Sequence, residues 1–226
     1  KSDLKHGKGK LVQKESLKSE RETTFEGEWK EDLRHGHGKL VWPLGDSYVG
    51  QWQNDLRNGR GLLRLISGEE YDGKWVGDLR CGEGTCRLPG GELYTGQWSK
   101  GGRWGEGTCV YTDGSRYIGQ WRGGQRHGVG FFASLDGLDR YEGTWSLDQP
   151  HGKGVQQTAE GDVYTGFFHA GERCGRGVLV TQHGDTYDGE WAHGLQDGEG
   201  TLVQGDGERY VGKWVAGERC GVGRCE

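Results

Sequence analysis

The stretch Tyr48-Val49-Gly50-Gln51-Trp52, followed after a short polar segment by Gly59-Arg60-Gly61-Leu62-Leu63, decides the fold of this chain. In the first part, aromatic and glycine residues occupy every second position, which places them on one face of a β-strand. The second part also alternates, so the pattern predicts another strand with both glycines and Leu63 on one face. The polar residues between the two parts predict a loop, and the unit is therefore a β-hairpin.

The aromatic–glycine–aromatic pattern occurs nine times in the 226 residues. The nine occurrences are Phe25-Gly27-Trp29, Tyr48-Gly50-Trp52, Tyr71-Gly73-Trp75, Tyr94-Gly96-Trp98, Tyr117-Gly119-Trp121, Tyr141-Gly143-Trp145, Tyr164-Gly166-Phe168, Tyr187-Gly189-Trp191 and Tyr210-Gly212-Trp214. Leading aromatics are 23 residues apart in seven intervals and 24 in one, between Tyr117 and Tyr141. A fixed period of this size predicts a repeat array. We expect the extra residue of the 24-residue interval to lie near Leu135–Asp139.

Glycine normally weakens a strand, but here it leaves room for a large ring carried by a neighbouring strand. A single hairpin cannot bury an aromatic face, whereas stacked repeats bury their rings against one another. The predicted fold class is all-β: an elongated, single-layer antiparallel sheet, a meander of about nine β-hairpin repeats twisted into a rod or trough. Because each repeat contributes two strands, it advances the sheet by roughly 10 Å.

The spacing predicts two segments. Residues 1–24 form a partial N-terminal repeat with a charged insertion within Lys14–Glu22, and residues 25–226 form a continuous array of 23–24-residue repeats, the last of them truncated. Both ends fall inside a repeat, which predicts a piece of a longer array with an open strand edge at each end. We expect end-to-end self-association through the C-terminal edge strand at Gly221–Cys225.

The composition argues against several classes of function. The formal net charge is −5 with acidic and basic residues interspersed, which argues against a nucleic-acid partner. No apolar stretch approaches the length that spans a membrane. The Gly-x-Gly pairs lack the helix start or the lysine of a phosphate-binding loop, and no Ser/His/Asp triad stands apart from equivalent residues in other repeats. We therefore expect no enzymatic activity and no cofactor.

The six cysteines occupy two repeated positions. Cys81, Cys174 and Cys220 precede a Gly-x-Gly pair, whereas Cys86, Cys109 and Cys225 follow one. A gap of five residues along a strand puts Cys81 and Cys86 on opposite faces, unlike the close pairs of zinc knuckles. We expect free structural thiols, no bound metal and a reducing, cytoplasmic location.

Tyr-x-Gly-x-Trp, a short loop with Gly-x-Gly and a glycine-containing turn, at a period of 23 residues, together resemble the MORN (membrane occupation and recognition nexus) repeat. The resemblance covers about residues 3–225. It implies an elongated single-layer antiparallel sheet, often with a groove lined by the repeat aromatics. It also implies scaffolding, association with the cytoskeleton or a membrane, or regulation of an attached enzyme domain.

The first functional hypothesis is a non-enzymatic scaffold or adaptor that binds a partner protein or peptide along its aromatic–glycine face. Aromatic side chains suit this role because they offer a large contact area at a low entropic cost. The same rings also pack repeat against repeat, and the two roles are compatible. The residues assigned to this face are Tyr71, Trp75, Tyr94, Trp98, Tyr117, Trp121, Tyr141 and Trp145.

A second candidate patch lies on the opposite face, whose positions are otherwise polar. Phe131 and Phe167 occupy such positions, and Val129, Val155 and Val178 lie in neighbouring strands. This patch is either a modest apolar surface or a docking site.

A row of arginines supports the alternative hypothesis of a peripheral membrane module. Arg80, Arg103 and Arg126 precede Gly-x-Gly pairs and form a candidate edge for phosphoinositide headgroups. Acidic residues in the same loops weaken the positive electrostatic field of these arginines. They favour the interpretation of a solvated, mixed-charge edge. A third hypothesis is a regulatory repeat array excised from a larger enzyme.

Overall fold

The computed structural model describes residues 4–14 and 22–225, in which strands alternate with turns and loops and no residue is helical. The chain divides into two compact units, Lys1–Thr112 and Asp113–Glu226. Each unit is an antiparallel meander, so the predicted all-β class is confirmed. The rod or trough shape stays a prediction. The insertion predicted within Lys14–Glu22 falls on residues 15–21, which lie outside the described residues.

In the first unit the described residues form nine strands. They are β1 (Gly7–Lys14), β2 (Glu22–Lys30), β3 (Leu33–Val41), β4 (Ser47–Gln53), β5 (Leu56–Arg64), β6 (Glu70–Val76), β7 (Leu79–Arg87), β8 (Leu93–Ser99) and β9 (Gly102–Val110). Within this unit, each strand from β1 to β8 pairs antiparallel with the next strand in the sequence.

In the second unit the described residues form ten strands with the same connectivity. They are β10 (Arg116–Arg122), β11 (Gln125–Ala133), β12 (Arg140–Ser146), β13 (Gln149–Gln157), β14 (Val163–His169), β15 (Glu172–Val180), β16 (Thr186–Ala192), β17 (Leu195–Val203), β18 (Arg209–Val215) and β19 (Glu218–Cys225). Self-association through β19 stays a prediction.

Glycines of neighbouring strands lie opposite one another and form a row across each unit. Gly50 lies opposite Gly61, which lies opposite Gly73 on its other side. The ring of Tyr48 covers this row, because a Cβ placed at Gly61 would overlap the Tyr48 phenol. The prediction that glycine makes room for a neighbouring ring is confirmed.

The first glycine of each Gly-x-Gly pair breaks the predicted alternation. The register shifts between Gly50 and Trp52, because β5 carries a bulge there. Gly59 has a φ of 95°, which side-chain-bearing residues rarely adopt. A Cβ at Gly59 would overlap the side chain of Gln51 on the face opposite the rings. The expectation that Gly59 shares a face with Gly61 is therefore wrong.

Side chains on the face opposite the rings hold these bulges in place. Their carboxamide oxygens accept a backbone N–H from the residue that follows the bulged glycine. The contacts are Gln51 Oε1 with Arg60 N (2.8 Å), Gln97 Oε1 with Glu106 N (3.2 Å) and Gln120 Oε1 with Val129 N (3.1 Å). These glutamines therefore have a structural role in addition to forming a polar surface.

The turns between hairpins share one hydrogen-bond pattern. Trp42 N–H donates to the Asp46 carbonyl oxygen at 2.9 Å, and Ser134 N–H donates to the Asp139 carbonyl oxygen at the same distance. The second turn therefore spans one more residue than the first. This confirms the extra residue predicted near Leu135–Asp139.

Candidate functional site

The Tyr and Trp rings form a ladder of edge-to-face contacts on one face of each unit, the inner face. Tyr71 lies 5.0 Å from Trp75 in its own strand and 5.1 Å from Trp98 of the next repeat, with both interplanar angles at 84°. Such T-shaped contacts suit the quadrupoles of aromatic rings. The Trp75 indole N–H also donates to the Gly61 carbonyl oxygen at 3.0 Å. Ring contacts therefore join this repeat to its neighbours, and a buried hydrogen bond adds to them here and at Trp52, Trp145 and Trp191.

The inner-face rings assigned to partner binding are buried, with no more than 6% of each residue exposed. They are Tyr71, Trp75, Tyr94, Trp98, Tyr117, Trp121, Tyr141 and Trp145. Burial also raises the pKa of the equivalent Tyr48 to about 12. The partner-binding role of these rings stays a prediction, and the packing gives every one of them a structural role.

The arginines at the second position of β3, β5, β7, β9 and β11 lie over aromatic rings, and each uses one of two kinds of acidic partner. In the first mode, the arginine bonds the loop aspartate of the next repeat. The pairs are Arg34–Asp55 and Arg57–Asp78, each with Nε to Oδ1 at 2.9 Å, and Arg126–Asp148, with the same atoms at 3.3 Å. The Cζ of Arg126 lies 4.3 Å from the centre of the Trp145 ring. Each guanidinium therefore neutralises a carboxylate and covers a ring.

In the second mode the arginine turns to a glutamate before the Tyr of its own repeat. Arg80 pairs with Glu69, and Arg103 pairs with Glu92. The side chains of Arg80, Arg103 and Arg126 are 19%, 16% and 21% exposed. Lipid binding by these three arginines stays a prediction, and each already has an acidic partner.

The face opposite the rings, the outer face, carries a shallow groove of about 500 Å³ in the second unit. The outer groove is lined by Val129, Glu142, Gly143, Lys153, Gly154, Val155, Thr165, Gly166 and Phe167. The backbone of its glycines forms part of the floor, whereas a Cβ at Gly143, Gly154 or Gly166 would point to the tyrosine rings of the inner face. Phe167 is 41% exposed, Val155 42% and Val129 60%.

Charges of both signs accompany the apolar side chains of the outer groove. Lys153 lies opposite Phe167, and its Nζ is 5.4 Å from the ring centroid. Glu142 lies opposite both Phe131 and Val155. A bound segment would therefore meet an apolar floor flanked by one base and one acid.

The second predicted patch, Phe131 and Phe167, divides in the structure. Both side chains lie on the outer face, but only Phe167 lines the outer groove. Phe131 is half-buried on β11, opposite Ile118 of β10. Sequence patterning identified Phe167 because an aromatic residue replaced a polar one. Lys153 and Glu142 carried no such signal, because charged residues are ordinary on this face.

The cysteines are free thiols. Cys86 and Cys109 are buried at the inner face, Cys81 and Cys174 are half-buried, and Cys220 and Cys225 are exposed. Cys81 lies opposite outer-face Lys74 while Cys86 lies opposite inner-face Tyr71, so the prediction of opposite faces is confirmed. Within residues 4–14 and 22–225, no three His, Cys, Asp or Glu side chains are grouped in a way that could hold a metal ion. Over the same ranges, no helix is suited to crossing a membrane.

Comparison with family models gives matches to the MORN repeat along the chain. The matched residues are 1–14, 25–47, 48–69, 71–92, 94–116, 117–138, 141–163, 164–186, 187–209 and 210–226. The first match corresponds to the predicted partial repeat. The comparison with curated proteins gave no match.

Among solved structures, the chain is similar to the SAS-4 (dCPAP) TCP domain in complex with a proline-rich motif of Ana2 (dSTIL) of Drosophila melanogaster. The identity is 8%, the TM-score is 0.35, and the alignment covers 74% of this chain and 88% of that one. A streptogramin B lyase gives 7% identity and a TM-score of 0.19, with 91% and 88% covered. The virginiamycin B lyase from Staphylococcus aureus gives 8% and 0.16, with 92% and 88% covered. These similarities are too low to inform function.

Proposed function

Because the chain belongs to the MORN repeat family, we propose that it is a non-enzymatic scaffold that binds a protein or peptide segment in the outer groove of its second unit. The observation that carries this proposal is the exposed ring of Phe167 at a position that is polar in the other repeats and holds the bulge in three of them. The inner face is less suited to partner binding, because its rings are already buried against one another.

Phe167 lacks a structural hydrogen bond that three of its equivalents make. Gln51, Gln97 and Gln120 occupy the same position and accept a backbone N–H from the bulge. A phenyl ring has no group that can do this. Phe167 instead lies 41% exposed in the groove. An exposed aromatic side chain at a position that is polar in every other repeat indicates a functional position.

The groove fits a partner segment better than a lipid headgroup. Its apolar side chains, Val129, Val155 and Phe167, offer surface that can be removed from water. Its single base, Lys153, is accompanied by Glu142 in the same lining, which opposes an anionic headgroup. A peptide with an apolar stripe and charges of both signs satisfies all of these groups. A scaffold of this kind works in the same way whether it stands alone or regulates an attached domain.

The variant Phe167→Gln tests the proposal, since glutamine restores the residue type that holds the bulge elsewhere. We expect Phe167→Gln to keep the melting temperature within a few degrees and to abolish partner capture. Capture is measured by photo-crosslinking with native lysate as the source of partners: benzoylphenylalanine at position 167 identifies the partners, and benzoylphenylalanine at Thr165, in the same lining, compares wild type with Phe167→Gln.

The matched control places the same photo-crosslinker at Lys213. Lys213 occupies the equivalent position in its own repeat, between Gly212 and Trp214, and lies opposite Glu199 of β17. We expect discrete crosslinked proteins from position 167 and none from position 213. Equal products from both positions, or unchanged capture by Phe167→Gln, would contradict the proposal.

A further inference from the structure

The turn between β3 and β4 forms a second apolar cleft, in the first unit. Its volume is about 360 Å³, and it is lined by Trp42, Pro43, Leu44, Asp46, Arg57, Leu63 and Leu65. We call this the turn cleft. Leu44 at its rim is 58% exposed. The volume lies at the lower end of the range of about 300–1,000 Å³ typical of ligand pockets.

The turn does not require an apolar side chain at position 42. Trp42 N–H bonds the Asp46 carbonyl oxygen at 2.9 Å, and Thr158 N–H bonds the Asp162 carbonyl oxygen at 2.9 Å. Trp42 and Thr158 therefore hold the same position in equivalent turns. Threonine also occupies it at Thr181, whose N–H bonds the Asp185 carbonyl oxygen. A polar residue forms this turn equally well, so the indole at position 42 needs another explanation.

The two charged groups of the turn cleft are not equivalent. The Arg57 guanidinium is matched by Asp78, with Nε to Oδ1 at 2.9 Å. The Asp46 carboxylate accepts the Ile66 backbone N–H at 2.7 Å. Within residues 4–14 and 22–225, no cationic side chain lies within ion-pair distance of Asp46. The cleft thus presents apolar walls beside one carboxylate whose charge is not compensated.

We propose that the turn cleft is a second docking site, which binds a peptide segment of a partner protein that carries a large apolar side chain beside an Arg or Lys. The apolar side chain enters between Trp42 and Leu65, where it is removed from water. The basic side chain pairs with Asp46, which keeps its hydrogen bond to the Ile66 amide. This site lies in the first unit and does not depend on the outer groove.

Selection from a phage-displayed library of random twelve-residue peptides tests this site. We expect selection to enrich peptides with an apolar residue next to Arg or Lys. The strongest binder, synthesised with a fluorescein label, is then titrated by fluorescence polarisation. Trp42→Thr, which copies the residue of the equivalent turns, is expected to weaken binding at least tenfold.

Charge is tested separately with Asp46→Asn, which keeps an oxygen for the Ile66 amide. We expect at least a tenfold loss of affinity with Asp46→Asn and no change of affinity with its matched control Asp162→Asn, because Asp162 accepts the Gln182 amide in an equivalent turn.

Leu44→Ser provides an independent variant at the rim should Trp42→Thr fold poorly. Phe167→Gln must leave this affinity unchanged, which separates the turn cleft from the outer groove. The proposal is overturned if selection enriches peptides without a basic residue. It is also overturned if the affinity is unchanged both by Asp46→Asn and by the apolar variant, Trp42→Thr or Leu44→Ser.

Discussion

The guanidinium of Arg57 lies over the indole of Trp75 in the following repeat, with Cζ 4.2 Å from the ring centroid. Its Nε donates to Asp78 Oδ1 at 2.9 Å, and its Nη2 donates to the Asp78 carbonyl oxygen at 3.2 Å. One side chain of β5 therefore contacts both the ring and the loop of the next repeat. Contacts of this kind connect only neighbouring repeats, as expected for a repeat array.

Replacing Arg57 should weaken the junction between these repeats. We expect Arg57→Ala to lower the free energy of unfolding by about 2 kcal/mol, since it removes charge-assisted hydrogen bonds and a cation–π contact. Arg57→Lys should recover only part of the lost stability, because the lysine ammonium lacks the planar arrangement of donors that a guanidinium has. Urea unfolding followed by tryptophan fluorescence measures the effect. Arg60→Ala, on an exposed side chain of the same strand, is the control, and an equal loss there would refute the assignment.

Acid should weaken the Arg34–Asp55 junction. Burial opposes ionisation of Asp55, but the Arg34 amide and guanidinium outweigh it and hold the pKa of this carboxyl below its ordinary value. Because the folded pKa lies below the unfolded one, the stabilisation is complete above pH of about 4 and is lost as the pH falls through the folded pKa. The melting temperatures of wild type and Asp55→Asn should therefore converge below pH of about 4. A constant difference across the acid range would argue against this linkage.

The two faces of one strand should respond very differently to truncation. Trp75 is 2% exposed, whereas Lys74 on the outer face is exposed. We expect Trp75→Ala to cost about 3–5 kcal/mol, because it leaves a cavity and an unpaired carbonyl. Lys74→Ala should stay within about 0.5 kcal/mol. Thermal unfolding of the two variants is the measurement, and comparable shifts would show that the faces are misassigned.

A single methyl group should separate the two kinds of glycine. Gly61 lies under the Tyr48 ring, whereas a Cβ at Gly102 would meet only the Ser99 carbonyl oxygen, at 3.8 Å. We expect Gly61→Ala to destabilise by about 1–3 kcal/mol through overpacking. Gly102→Ala should be neutral or slightly stabilising. Differential scanning calorimetry can compare them, and a tolerated Gly61→Ala would mean that Tyr48 moves aside freely.

The thiols should react in order of burial. Cys109 is fully buried, and burial raises the pKa of its thiol to about 12 despite the nearby Arg103. The thiolate is the reactive form, so Cys109 and Cys86 should resist a thiol reagent at pH 8 until the chain unfolds. Cys220 and Cys225 are exposed and should react first. Mass spectrometry after timed labelling identifies each site, and early modification of Cys109 would contradict the burial.

The sequence by itself determined the strands, their faces and the repeat. Alternation at Tyr48, Gly50 and Trp52 requires a shared face, because side chains along a strand alternate with a period of two. Recurrence at 23 residues requires stacked equivalents, because one hairpin cannot cover its own rings. The departure at Phe167 could also be found from the sequence, since its equivalents are polar. These inferences depend only on local geometry and on comparison between repeats.

Tertiary structure alone decided the bulge at Gly59, the partner of each arginine and the turn cleft. The left-handed φ of Gly59 does not show in an alternating pattern, because glycine adopts either sign of φ. Arg57 bonds Asp78, which lies in another repeat, whereas Arg80 bonds Glu69 in its own. The turn cleft exists because pairing of β4 with β5 brings Leu63 beside Trp42. Each of these features joins residues from separate strands or turns, and only the folded sheet sets the distances between them.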